Sequence, residues 1–545
     1  EEGVWEWTSG ENVDYTNWMG PPNNHSGDDG GDEDAVFLIT NGTYWNDGGD
    51  YAGKWNDGDN NDSRIENQLR GIAEIKLPSF APSDRAELKT AIREWIFDED
   101  SARETYGDIN TWDVSGITDF SHLFSADAND HSYRKFNSDI SNWDVSNGTN
   151  FAGMFRQSFA FNQDIGDWDV SNGTDFEDMF EDASEFNQDI GNWDVSSGTD
   201  FRDMFSLALN FNQDIGNWDV SKALSFNEMF YKASAFNQDI GDWDVSNGER
   251  FDYMFSEAAS FNQDIGDWDV SSGTNFHAMF LCYGNSVFNQ DIGSWDVSNG
   301  TNFDSMFEGA TEFNQDIGDW DVSSNTDFSE MFADAKSFNQ DIGDWDVSSG
   351  IDFDSMFRGA ISFNQDISDW DVSNGDDFEA MFVFTSFNQD IGNWDVSNGE
   401  RFDYMFFGAT SFNQDIRNWD VSNGNHFEGM FAFATDFDQD LTGWDLDSVN
   451  GKPLHIFYGA DQMLANGWGS TPNLSEDNRL ENNITGNSQD NILYGTDDDD
   501  VLTGGKGDDT YYVNTKGDLV KEKSGEGTDL IYSTVTYTAS SNVED

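Results

Sequence analysis

Apolar residues recur along most of this chain with a period of about 25. In DIGDWDVSNGTDFEDMFEDASEFNQ, from Asp164 to Gln188, they are Ile165, Trp168, Val170, Phe176, Met179, Phe180, Ala183 and Phe186. Trp168 and Val170 share parity, which predicts a short strand with both facing inward and Asp169 facing out. Ser171-Asn172-Gly173 is a turn signal. Thr174 and Glu177 fit a capping box. Phe176, Met179, Phe180 and Ala183, at i, i+3, i+4 and i+7, predict one face of a short helix. Phe186 opens a return loop, and Asn187-Gln188-Asp189 lead into the next copy.

The WDVS motif starts at Trp112 and returns at Trp143, Trp168, Trp193, Trp218, Trp243, Trp268, Trp295, Trp320, Trp345, Trp370, Trp394 and Trp419, with WDLD at Trp444. Most intervals are 25; 31 follows Trp112, 27 follows Trp268 and 24 follows Trp370, differences that belong in loops. One copy cannot bury its apolar face alone, but stacked copies can. The prediction is a repeat solenoid of fourteen coils over residues 112–449, each a short strand plus a short helix. Neighbouring coils would lie about 4.8 Å apart. Leu88, Ala91, Ile92, Trp95 and Ile96 share a helical face behind Ser83 as N-cap, so residues 79–111 read as a helical cap. Leu454, Ile456, Phe457 and Tyr458 break the period, and residues 450–480 read as a C-terminal cap and linker.

Ile165, Trp168 and Val170 follow the L-x-x-L-x-L pattern of leucine-rich repeats. Units such as FNQDIGDWDVSNGTDFEDMF, and the opening YGDINTWDVS from Tyr106 to Ser115, resemble the surface-protein repeats of the BspA-like leucine-rich repeat family over roughly residues 80–475. The resemblance implies a leucine-rich-repeat-like fold in a bacterial surface or secreted protein used in adhesion or binding. Gly173 and Gly248 stand where that family carries an apolar residue, which predicts a looser turn; Ile117 keeps the family pattern.

Charge narrows the partners. The 545 residues carry 107 acidic against 25 basic side chains, a net charge of −82. Nucleic acid needs a basic footprint and is excluded. An anionic membrane surface would repel the chain, and no apolar run reaches the roughly 18 residues of a membrane helix, so no membrane insertion is expected. No signal peptide opens the sequence. Cys282 is the only cysteine, so no internal disulfide forms, and it reads as a small buried hydrophobe. The six histidines are scattered, and there is no P-loop, HExxH or nucleophile elbow. The expectation is that the protein is not an enzyme.

Asp follows the motif Trp in every copy: Asp113, Asp144, Asp169, Asp194, Asp219, Asp244, Asp269, Asp296, Asp321, Asp346, Asp371, Asp395, Asp420 and Asp445. A second Asp precedes the motif Ile, as at Asp164, Asp189 and Asp214. Unit charges spaced like paired strands repel by roughly 0.9 kcal/mol in water. Two readings follow. The carboxylates accept backbone N–H bonds in tight turns, or they hold an array of weakly bound Ca²⁺. The second predicts a solenoid that melts lower in EDTA.

The last segment, residues 481–545, has a period of nine: GNSQDNILY (Gly486–Tyr494), GTDDDDVLT (Gly495–Thr503) and GGKGDDTYY (Gly504–Tyr512). The third fits G-G-x-G-x-D-x-U-x. These units resemble the RTX, or haemolysin-type, calcium-binding family. The resemblance implies a calcium β-roll with Asn491, Asp500, Gly504, Gly507 and Asp509 at the Ca²⁺ sites, and export by type I secretion. Residues 1–78 contain WEW, YTNW, PPNN, EDAV, two WND triplets and GIAEIKL. They resemble the second half of a C-type lectin-like α+β domain, which implies Ca²⁺ and sugar ligands at Asn23, Glu33, Asn56 and Asp57. Pro21 replaces the polar residue that usually leads the lectin loop. The expected function is a calcium-stabilised extracellular adhesin with a glycan or cell-surface ligand. The alternative is a structural subunit that self-associates into a filament, sheath or matrix.

Overall fold

Stacked aromatic rings form the axis of the architecture. The computed structural model describes residues 35–39, 54–58, 80–125, 131–284, 286–446, 449 and 455–460, and in the C-terminal segment 483–485, 492–494, 501–507, 509–513, 515–523, 527–533 and 535–538. The chain divides into two units, residues 1–79 and 80–545. In the first, strand β1 (Ala35–Ile39) pairs antiparallel with β2 (Lys54–Gly58), Ala35 opposite Gly58 and Ile39 opposite Lys54.

The second unit opens with helix α1 (Arg85–Phe97), which buries Leu88, Ala91, Ile92 and Trp95 as the pattern predicts. Its N-cap is Asp84, whose side chain accepts from Glu87 N at 2.9 Å. Ser83, the predicted cap, lies one residue earlier and donates N–H and O–H to the Glu87 carboxylate instead. Trp95 packs edge-on against Trp112 at 5.9 Å, so the helix covers the first coil. A second helix, α2 (Glu99–Tyr106), follows.

The coils contain neither the predicted helix nor the predicted strand; among the described residues 136–446 every coil is built from turns. Met179 N donates to Phe176 O and Ala183 N to Phe180 O, three-residue turns spaced by Asp178 and Asp182 at φ 56°. A helix would spend every N–H within its own coil. Here alternate N–H groups reach the next coil: Phe176 to Asp200 O, Asp178 to Arg202 O, Phe180 to Met204 O and Asp182 to Ser206 O, at 2.7–3.0 Å. The turns still bury Phe176, Met179, Phe180 and Ala183, because positive φ at every fourth residue returns the apolar positions to one side. The bridge between coils falls at Asp175, not at Trp168–Val170. Thr174 does not cap Glu177; it donates N–H and O–H to Thr149 O of the preceding coil.

Three further ladders fasten the coils. Each motif indole from Trp143 to Trp444 donates to the Ile carbonyl of the preceding coil, as Trp193 does to Ile165 at 3.0 Å. The FNQ loop forms an amide ladder: Asn187 N donates to Asn162 Oδ1 at 3.0 Å, and Gln188 Nε2 to the same oxygen at 2.9 Å. Rings of neighbouring coils stack at 5.2 Å (Phe402 on Phe427) to 6.5 Å (Trp218 on Trp243), wider than paired strands. Gly173 does not loosen its turn. A Cβ there would lie 2.5 Å from Phe176 Cζ and 2.9 Å from Val170 O, so the glycine admits a ring against the backbone. Ile456, Phe457 and Tyr458 continue the stack rather than break it, since Phe431 N donates to Ile456 O and Phe457 stacks on Phe431.

The C-terminal segment forms two parallel sheets, filled alternately by successive strands. One orders β3 (Asn483–Thr485), β5 (Val501–Thr503) and β7 (Leu519–Lys521); the other orders β4 (Ile492–Tyr494), β6 (Thr510–Val513) and β8 (Leu530–Ser533). Leu493, Leu502, Tyr511, Val513 and Val520 form its core.

Candidate functional site

Each coil presents two acid-bearing faces with different local chemistry. On the first, the aspartate after the motif Trp is held by its own turn. Asp169 Oδ1 accepts from Ser171 N at 3.1 Å and from Ser171 Oγ at 2.6 Å. The backbone bond repeats from Asp113 to Asp420. The aspartate before Ile does the same, Asp164 Oδ1 accepting from Gly166 N at 3.1 Å. Hydrogen bonds from Ser221, Ser298 and Ser348 hold Asp219, Asp296 and Asp346 below the usual carboxylate range. The geometry is that of the turn reading. Among the described residues, two sets of three acids bring ligand atoms within 4.8 Å of one another, and no motif aspartate belongs to either.

The second face is the turn segment around the paired phenylalanines, from the residue before the first to the second left-handed position, as Asp175 to Asp182. Internal copies agree at the motif Trp, Asp and Phe and differ here: the residue after the first Phe is Glu177, Arg202, Asn227, Asp252, His277 and Asp304 in successive coils. Several of its acids are half-buried or buried, and burial raises Glu181, Asp203, Glu308 and Asp352. Glu181 is pushed up to about 7 and Asp352 to about 6. Burial and Glu228 raise Asp203; burial and the adjacent Glu330 raise Glu308. Arginines gather where the acids are buried. Arg156 pairs with Asp178 at 2.8 Å and Glu181 at 2.5 Å. Arg358 reaches Glu308, Glu330 and Asp334 at 3.1–3.4 Å, and Arg401 pairs with Asp377 at 3.0 Å and also with Glu379. In the first acid trio, Asp175, Glu177 and Asp200, the position between carboxylates is taken by Arg202, 2.7 Å from Asp200 and 3.0 Å from Glu177.

The second trio lies in the C-terminal roll: Asp509, Glu522 and Asp529. Asp509 and Asp529 are buried, and Asp509 N donates to Asp529 Oδ1 at 2.9 Å. Gly504 N donates to Tyr511 Oη and Glu522 Oε1, and a Cβ on Gly504 would sit 2.1 Å from Asp509 Oδ2. Burial, with the hydrogen bond to Glu522 adding to it, raises the Tyr511 phenol. Gly507 takes φ 113°, as the nonapeptide pattern requires of its glycine. Oxygen-only donors around a glycine cradle fit a hard cation. Of the residues that the period of nine singles out, Asp509 belongs to this trio and Gly504 lies against it, while Glu522 and Asp529 lie beyond the nonapeptides. Asn491 and Asp500 lie outside the described residues, as do Asn23 and Glu33. Asn56 and Asp57 sit on β2, opposite Phe37 and Val36. Cys282 is buried, and burial pushes its thiol up.

No helix among the described residues is long and apolar enough to cross a membrane. A family model described as "Mycoplasma protein of unknown function, DUF285" matches residues 93–209, 190–286, 281–385 and 377–468. Each match spans several coils. No curated protein and no solved structure matches the chain.

Proposed function

The chain belongs to the DUF285 family of Mycoplasma proteins of unknown function, and on that premise we propose a non-catalytic, surface-displayed or secreted binding protein whose turn face meets the ligand. One observation carries the reading: the copies hold their core and motif aspartates constant while the turn face changes residue and charge from coil to coil. A stack that repeats its fasteners and varies one half-buried strip is built as a scaffold for recognition. Antibody labelling or protease shaving of intact cells and culture medium tests display. Solenoid epitopes found only after lysis would overturn it.

Calcium belongs to the same proposal through the roll rather than the motif aspartates. Asp509, Glu522 and Asp529 would hold the ion, which would neutralise a buried acid trio. Calcium should then slow amide exchange in residues 501–533 and leave the Trp-coil amides unchanged. Equal protection of both regions would return the motif aspartates to contention. Type I export and adhesion through glycans are parts of this proposal supported by the nonapeptides and the lectin-like resemblance. A second reading, self-association, is favoured by an aromatic strip on the last coils. Phe384, Phe407, Phe433 and Tyr458 meet edge-to-face at 5.0–5.4 Å, with Phe384 and Phe433 exposed. Sedimentation that changes with concentration in the native chain and not in F384S/F433S would support it.

A further inference from the structure

The two-residue insertion after Trp268 builds a feature that the other coils lack. After Phe280 the coil keeps Leu281 and Cys282 buried and leaves Tyr283 74% exposed on the turn face. Beside it is a pocket of about 330 Å³ whose lining includes Tyr253, Ser256, Glu257, His277, Tyr283 and Glu308. Its walls are held in place: His277 Nε2 meets Tyr253 Oη at 2.6 Å, and His277 Nδ1 meets Asp304 Oδ2 at 3.0 Å. Tyr283 Oη lies 3.5 Å from Glu308.

Three observations point to a ligand and to its charge. Ser256 is wholly buried in the lining, yet its Oγ has no hydrogen-bond partner among the described residues. A buried hydroxyl left so costs free energy until something bonds to it. Glu308 and Glu330 crowd each other, and the one guanidinium that reaches both, Arg358, stands at 3.3–3.4 Å. Lys232 already lays its ammonium over the Tyr231 ring at 4.8 Å on the pocket's edge, so one ring of the lining already faces a cation. The chain's charge of −82 selects the same sign. A planar cation suits the site better than a compact one, since a guanidinium stacks on a ring and bonds a carboxylate edge at once.

We propose that the pocket between Tyr253, Tyr283 and Glu308 is an arginine-recognition site, taking one arginine side chain of a basic partner protein with Ser256 at its floor. The inference deepens the reading of the turn face as the binding face. It does not need cell display, so the shaving experiment and this one fail separately. Calorimetry on the full chain in 150 mM salt, with Ac-Gly-Arg-Gly-amide and its citrulline and lysine counterparts, tests it. Binding of the arginine peptide should be at least tenfold tighter than that of either counterpart. Y283S, an exposed change, and E308Q should each weaken it about tenfold. D321N, which removes the same charge as E308Q from the motif ladder, should leave it unchanged. Equal weakening by D321N, equal affinity for citrulline or lysine, absent binding, or free arginine binding as well as the peptide would each overturn the proposal.

Discussion

The motif aspartates and the turn-face acids belong to the same coils, carry the same charge and solve its cost in opposite ways. Asp169 and its counterparts stay in water and spend one oxygen on their own turn. Glu181, Asp203, Glu308 and Asp352 lie against the stack, where burial disfavours their charge. Of the six arginines between residues 136 and 446, five are on the turn face and one, Arg417, pairs beside the motif, with Asp415. Charge density alone does not say where a protein needs counter-charge; solvent access does. The face that varies is also the face that is electrostatically unfinished, and there a cationic partner gains most.

The largest test of this contrast is pH. On the turn face Asp352 and Glu181 are raised in the fold, so their contribution is complete below the unfolded carboxylate range and is lost as pH climbs through about 6 (Asp352) and about 7 (Glu181). On the motif ladder Asp219, Asp296 and Asp346 are lowered, so theirs is complete above that range and is lost as pH falls below it. The melting temperature should therefore peak near pH 5 and drop by several degrees toward pH 8.5 and again below pH 3.5. A curve rising steadily from pH 5 to 8.5 would break the contrast. Next, R358M leaves Glu308, Glu330 and Asp334 without their shared cation. Because Arg358 is itself one-third exposed, the cost should be about 2 kcal/mol rather than the full penalty of a broken buried pair. Urea unfolding should show it, with recovery as pH is lowered to 5. Smallest are changes on the ladder. D321A removes the acceptor for Ser323 N and Oγ and should cost about 1 kcal/mol. D321N keeps an acceptor oxygen and should cost a fraction of that, with or without calcium. Equal losses in calcium would mean that charge, not the turn, is what that column supplies.

Much of the coil was legible from residue spacing. The parity of Trp168 and Val170 placed both inside and Asp169 outside, and the period of Phe176, Met179, Phe180 and Ala183 found four buried side chains. The same period misled about backbone. A helix and a run of turns with positive φ every fourth residue bury the same positions. The left-handed residues here are Asp, Leu, Lys, Tyr, Phe and other non-glycines far more often than Gly, so composition gives no sign of them. They bear a steric cost of roughly 1–2 kcal/mol each, which the hydrogen bonds between coils offset. The FNQ ladder had a visible signal, an asparagine and a glutamine at fixed places in nearly every copy, but amides at a loop entrance read as turn chemistry until the neighbouring coil is in view. The clusters around Arg156, Arg358 and Arg401 and the Tyr283 pocket were out of reach because each joins residues from neighbouring coils. The 27-residue interval after Trp268 marked the place and not its content.

The tryptophan column has an optical consequence. From Trp193 to Trp320, and again from Trp345 to Trp444, neighbouring indoles lie 6.3–6.5 Å apart with planes within 6° of parallel. At that separation an excitation hops between rings faster than it is emitted, and parallel dipoles hand it on without turning its polarisation. Light absorbed anywhere in one run is therefore shared by the run. A single quencher beside Trp444 should dim several indoles at once, turning the protein's own fasteners into a gauge of how many consecutive coils remain stacked.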